Sequence, residues 1–418
     1  MRDKKIVFGF LLVTVFCFFT VCQKKDDKMM IKVAHWDVTT HHYVTPLIEA
    51  FKLANPGVSI EVIDIPSADY TQRLTVMLNG GSDVDVFWIK DGDTTKSIAN
   101  RGQLADLSGY VKRDNIKLSD FNGTADRFIF DNKLTALPAS TGYYVLYYNK
   151  DIFDNMRIPY PSNDMTWAEW ERLAGQLTSG SGNNKIYGGL LHTWQACVQN
   201  WGIQDGKNTI METDYSFFRP SYEMALRMQK AGYIMDYGTM RVGGLHYSSL
   251  FLRGSAATLP MGTWFFTTVI ERIANNDSNI RWGISTLPHP PNAERGWTVG
   301  SVTPIAMNQA SLNKDLAWKF INFITGIEGA KIYASFGQFP GRTNDETLRV
   351  IASLPGMPDG SAQALAVKNI TLDRPMELKV GEINQMLGEE HSLIMLEEIS
   401  IQRGLDNMAR RSREIQGR

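Results

Sequence analysis

The apolar positions switch period several times along the first hundred residues. Ile31-Lys32-Val33-Ala34-His35-Trp36 alternates and opens on β-branched side chains, which predicts a first strand. Beyond Pro46, the residues Leu47, Ile48, Phe51 and Ala54 recur at helical spacing until Asn55-Pro56-Gly57 ends the helix. A second strand is predicted over 58–65 and a second helix over 70–78, closed by Asn79-Gly80-Gly81. Asp85-Val86-Phe87-Trp88-Ile89 reads as a third strand. This alternation predicts a doubly wound α/β unit with a largely parallel sheet.

Further along, a strand is predicted over 143–148. Thr166-Trp167-Ala168-Glu169 has the form of a capping box: the threonine accepts from the amide three residues on, and the glutamate reaches back. A short strand over 256–261 runs into a helix starting near Gly262. Another strand, 280–287, is cut by Pro288, Pro290 and Pro291. A strand over 302–307 and a helix over 316–325 follow. Residues 377–415 read as helical, with Leu387, Leu393, Leu396, Ile399 and Leu405 as core positions.

The N-terminus breaks the pattern. Arg2, Lys4 and Lys5 precede residues 6–19, which carry no charge. That is the layout of an export signal, and the run is short for a membrane span. Cys22 follows directly, then the polar stretch Gln23-Lys24-Lys25-Asp26-Asp27-Lys28. A cysteine in that place reads as a lipid attachment point and the charged stretch as a tether. Val21 departs from the small residue usual before a lipidated cysteine, so cleavage elsewhere or an uncleaved anchor stays open.

With 418 residues the chain is long enough for two domains, and a net charge of -1 points to no nucleic-acid partner. Three cysteines occur, at 17, 22 and 197. Removal of residues 1–21 leaves Cys197 as the one thiol of the body, best read as a buried, inert side chain. No nucleophile elbow, His-Glu-x-x-His or phosphate loop is present. No cofactor is expected.

Several segments then occur in a recognisable order. They are Phe51 to Gly57, Asp85-Val86-Phe87-Trp88, and Tyr147-Tyr148-Asn149-Lys150-Asp151-Ile152-Phe153 followed by Thr166-Trp167-Ala168-Glu169-Trp170. Phe251 to Trp264, Gly283 to Pro288 and Ala317-Trp318-Lys319-Phe320-Ile321 complete the set. From about Ile31 onward the chain resembles the family 1 extracellular solute-binding proteins of bacterial ABC importers. The resemblance implies a type II periplasmic-binding-protein-like α/β fold, whose two lobes are joined by strands that cross between them. Residues 31–140 with 288–343 would form the N-terminal lobe, and 141–287 with 344–418 the C-terminal lobe. Residues 1–21 would be the signal peptide and 22–30 the tether. It also implies a non-catalytic monomer that binds a carbohydrate, meets permease subunits and is held to a membrane by a lipid on Cys22, either periplasmic or at the cell surface.

A sugar offers hydroxyls on its edges and apolar C–H on its faces, so its site needs flat aromatic rings and fixed polar groups. Trp36 and Trp88 end the first and third strands, where open α/β sheets place ligands, with Asp37 and Asp91 close behind. The resemblance places Trp88 and Asp91 at the family's ligand loop and Trp264 at its stacking position. It also places Trp194, Tyr143 or Tyr144, Trp297 and Arg342 near the cleft or the crossings. Each has a plainer alternative. The tryptophans and Tyr143 also suit core packing, and Asp91 suits an ordinary turn. Trp167, Trp170, Trp282 and Trp318, within elements, are assigned to the core or lobe surface. His35, His41 and His42 could hold zinc, but no cysteine or nearby glutamate supports a metal, and hydrogen bonding is preferred. A non-sugar solute and a carbohydrate-cleaving enzyme remain the competing functions.

Overall fold

The computed structural model describes residues 29–417 apart from 40, 68, 82, 83, 91 and 292. The expected signal segment, Cys22 with most of the tether, and Asp91 lie outside the described residues.

The opening reads as predicted from its period. Strands β1 (Met29–Trp36) and β2 (Val58–Ile65) run parallel, with the helix Val44–Ala54 between them. Strand β3 (Val86–Trp88) pairs parallel with β1. The hairpin β4 (Ile129–Phe130) and β5 (Lys133–Leu134) stands apart. Strand β6 (Ala136–Asn149) is longer than its apolar run suggested, because it serves two sheets. Its first half pairs with β9 (Trp297–Met307), and its second half with β7 (Thr258–Gly262) and β8 (Trp282–Thr286), all antiparallel. Strand β9 is also antiparallel to β3 and parallel to β10 (Asn369–Leu372), a strand the sequence pattern did not disclose. The sheet is therefore mixed rather than largely parallel.

Apolar burial divides the chain into two lobes. One core gathers Ile31, Leu47, Phe51, Phe87, Trp88, Leu137, Ile305, Trp318 and Tyr333. The other gathers Tyr147, Trp170, Trp201, Phe251, Phe265, Trp282, Leu387 and Met408. Core membership changes between Ala139 and Tyr143, between Val299 and Ile305, and between Tyr333 and Ala334. The prolines at 288–291 mark no crossing. There the chain is pinned to the second lobe, with the Trp167 N–H donating to the His289 carbonyl and the His289 N–H to that of Met165. A fourth, brief passage takes Leu372 and Met376 into the first core before Val380 returns to the second.

Local chemistry explains several boundaries. The capping box of the helix Trp167–Leu177 forms as expected, Thr166 accepting from the Glu169 amide while Glu169 accepts from that of Thr166. Two helices, Val380–Met395 and Ile401–Gln416, replace the single C-terminal run. Leu387 and Leu405 are buried there, whereas Leu396 caps the first helix and is exposed.

Candidate functional site: an aromatic wall beside the crossing strands

Of ten tryptophans, two are substantially exposed: Trp194 at 40% and Trp264 at 39%. They belong to one wall. Trp194 meets Tyr247 edge-on, with ring centroids 5.7 Å apart. The Trp264 side chain stands near the Tyr247 hydroxyl, whose pKa is raised by burial with Trp264 opposing the shift. Trp264 also stands perpendicular to Tyr144, 5.3 Å away. His192 closes the wall from behind, 4.7 Å from Trp194 and 5.2 Å from both Tyr247 and His246. Burial pushes the His192 imidazole down to about 4, so it is neutral at ordinary pH. Its Nδ1 is buried without a hydrogen-bond partner.

Two glycines seat Trp264. Its ring lies so close to β7 that a Cβ on Gly262 would fall 2.1 Å from it, and a Cβ on Gly142 of β6 would fall 3.2 Å away. The ring therefore lies flat over the crossing strands. It borders a cavity of about 180 Å³ whose walls include Gly142, Ser301, Thr303, Gln338 and Phe339. Those residues come from the segments that pass between the lobes, so the wall ends at the hinge. His246 accepts from the Ser248 amide at the start of the helix Tyr247–Leu252, which fixes Tyr247 in the first turn.

The first lobe treats its strand-end aromatics differently. Trp88 is 1% exposed and its indole N–H donates to the Tyr333 hydroxyl at 3.3 Å, so it is a core residue rather than a cleft plate. Trp36 is buried against His35 and Tyr70. Asp37, at a positive φ of 45°, accepts from the Ser67 amide at 2.8 Å, which ties the loop after β1 to the loop after β2. His35 and His41 both direct Nδ1 at the Trp36 carbonyl, at 2.7 and 3.0 Å. These bonds hold the loop after β1.

Three other candidates are also committed elsewhere. Tyr143 is fully buried and donates to the Leu365 carbonyl at 3.0 Å; its neighbour Tyr144 is the one that meets Trp264. Arg342 gives both Nε and Nη2 to one oxygen of Asp120, at 3.0 and 2.7 Å. Trp297 lies over Gly206 and makes no ring contact with the wall among the described residues. Cys197 is buried and its thiol is pushed up to about 12 by desolvation, which makes it inert.

A larger cavity, about 860 Å³, lies between Lys96, Arg127 and Phe130 of the first lobe and Glu212, Glu377 and Lys379. Its aromatic ring, Phe130, already sits beneath the Lys96 ammonium at 4.8 Å. It offers charge but no free plate. The wall at Trp264 is the better match to a flat solute.

Residues 39–331 match the family described as bacterial extracellular solute-binding protein. The chain belongs to that family. Among solved structures, a sugar transporter of Rhizobium etli in an open conformation shares 39% identity at a TM-score of 0.90, covering 92% of this chain and 99% of that one. A sugar-binding protein of Xanthomonas citri shares the fold at 19% identity and a TM-score of 0.77, covering 93% and 98%. A maltooligosaccharide ABC transporter solute-binding lipoprotein of Streptococcus pneumoniae is 24% identical over 317 residues, 67% of this chain and 69% of its own. The two-lobed type II architecture of these solute-binding proteins is the fold seen here.

Sequence reasoning missed His192, His246 and Tyr247 as members of the wall, and of the pair Tyr143 or Tyr144 the structure places Tyr144 against Trp264. Tyr247 follows a glycine-rich turn and carries no period of its own, so only the packed structure brings it between the two tryptophans.

Proposed function

We propose that this solute-binding protein captures a sugar on the Trp194–Tyr247–Trp264 wall and delivers it to an ABC permease. The observation that carries this reading is the exposure of two tryptophans on one continuous wall beside the crossing strands, while Trp36 and Trp88, which end β1 and β3, are buried. Relatives named for maltooligosaccharide and galactooligosaccharide binding agree with it. Ligand contacts completed only when both lobes touch the sugar would bias the pair toward closure. The lobes acting as two hinged bodies, a lipid on Cys22 as the anchor, and a monomeric, non-catalytic protein complete the proposal. Export to a periplasm or cell surface follows from the signal layout of residues 1–21. Among the described residues no helix is long and apolar enough to cross a membrane.

The test is a thermal-shift screen of the intact protein against neutral di- and trisaccharides, with product analysis of the same mixtures. A ligand that binds the folded state alone raises the melting temperature with its concentration. A shift without cleavage is the expected outcome. Cleavage would make the protein an enzyme, and a shift with a non-sugar solute alone would replace the ligand.

A further inference from the structure

Strand pairing carries the floor of the site one step beyond the aromatic wall. In the β6–β9 ladder Gly142 lies opposite Ser301. The Asp373 N–H donates to the Gly300 carbonyl at 2.9 Å, which continues the parallel β9–β10 ladder one residue past Leu372. Asp373 therefore neighbours Ser301. Residues side by side on adjacent strands project from the same face of a sheet. Trp264 lies flat on that face above Gly142, and the Ser301 hydroxyl borders the same cavity. A plate, a hydroxyl and a carboxylate thus form one row across three strands, about 10 Å from the first to the third.

The carboxylate is under-used. Its side chain is 15% exposed, and Oδ1 is buried without a hydrogen bond. The Arg374 Nε stands 3.6 Å from it, too far for one, and that guanidinium is half in solvent. Burial raises the carboxyl above its ordinary value, with the Arg374 guanidinium and the backbone of Arg374 and Asp373 opposing the shift. A buried acceptor without a hydrogen bond, one strand beyond Ser301, is costly to the free protein.

We propose that Asp373 is a specificity residue of this site: its partly exposed carboxylate accepts hydrogen bonds from the hydroxyls, or an amino group, of the ring stacked on Trp264. The same carboxylate repels a carboxylated sugar at that position. This rests on the sugar-binding reading and narrows it to neutral or amino sugars in the subsite beside Trp264.

The test uses the full chain, Asp373→Asn and Asp373→Ala, with a panel of maltose, galactobiose, chitobiose and digalacturonate. Melting temperature without sugar and affinity by calorimetry are both read. An acid whose pKa is raised on folding costs stability once ionised, so Asp373→Asn is expected to melt at or above the wild-type temperature. Affinity for the best neutral or amino sugar is expected to fall about tenfold to a hundredfold in both variants, the range of a lost charge-assisted hydrogen bond. Digalacturonate is expected to gain relative to the neutral sugars in Asp373→Asn. Unchanged affinity in folded variants overturns the inference and leaves the sugar reading standing, as does a wild type that prefers digalacturonate. A clear fall in melting temperature for Asp373→Asn marks a structural carboxylate and also overturns it. A wild type that binds no member of the panel overturns the sugar reading itself.

Discussion

The two lobes use the same residue type at comparable places and reach opposite results. In the first lobe Trp36 and Trp88 end parallel strands, yet both are sealed. Trp88 packs against Phe320 and His35 and satisfies its N–H on Tyr333. In the second lobe Trp264 follows β7 across a one-residue turn, and glycines on two strands let its ring lie on the sheet instead of under it. A tryptophan at a strand end is thus buried where helices cover that end, and presented where small residues leave the sheet face bare. The contrast separates stability from binding within one chain.

The strongest way to break the comparison is Trp88→Ala. It empties a large core site and is expected to destabilise the protein by about 3–5 kcal/mol, read by denaturant unfolding. Trp264→Ala should do the reverse, leaving stability within about 1 kcal/mol of wild type while costing about 2 kcal/mol or more of sugar affinity. Equal losses of stability in the two variants would remove Trp264 from the surface role given to it. At the crossing, Asp120→Ala or Arg342→Ala breaks a partly buried pair in which two N–H groups share one oxygen. A loss of about 1 kcal/mol in stability is expected, with coupling visible in the double mutant. Trp194→Ala, at the outer end of the wall, should weaken binding by about 1 kcal/mol and leave melting unchanged.

The last test concerns pH. His192 is held down to about 4 by burial, while an unfolded imidazole titrates near 6.5. Between those values the unfolded chain binds more protons, so stability rises with pH across that window and falls as pH drops toward 4. His192→Gln should flatten that part of the stability profile. His35 and His391, pushed to about 3 by burial, leave a residual slope that His192→Gln does not remove.

Much of the fold was legible because burial imposes period. The strands at 29–36 and 58–65, the helix between them and the capping box at Thr166 follow from alternation, helical spacing and hydrogen-bonding side chains. Strand β10 was not legible, since Asn369-Ile370-Thr371-Leu372 is too short to carry a period and gains its partner only from β9. The second core's claim on Val299 was hidden for a related reason: the prolines nearby looked like a boundary, but hydrogen bonds to Trp167 and Met165 tie them to the second lobe.

The site divided in the same way. The chain by itself determined that large aromatics would be available, that Trp264 would follow a strand, and that Cys197 would be the one cysteine beyond residue 22. Local pattern is enough for those statements because each concerns neighbours in sequence. Which aromatics face outward was decided by tertiary packing alone. Tyr143 and Tyr144 are adjacent, yet one is locked to Leu365 and the other meets Trp264, because successive residues of a strand point to opposite faces. Arg342 carried a free charge on paper and was taken by Asp120, more than two hundred residues earlier in the chain. Exposure depends on what the rest of the chain brings to cover a side chain, and that is settled only once distant segments pack.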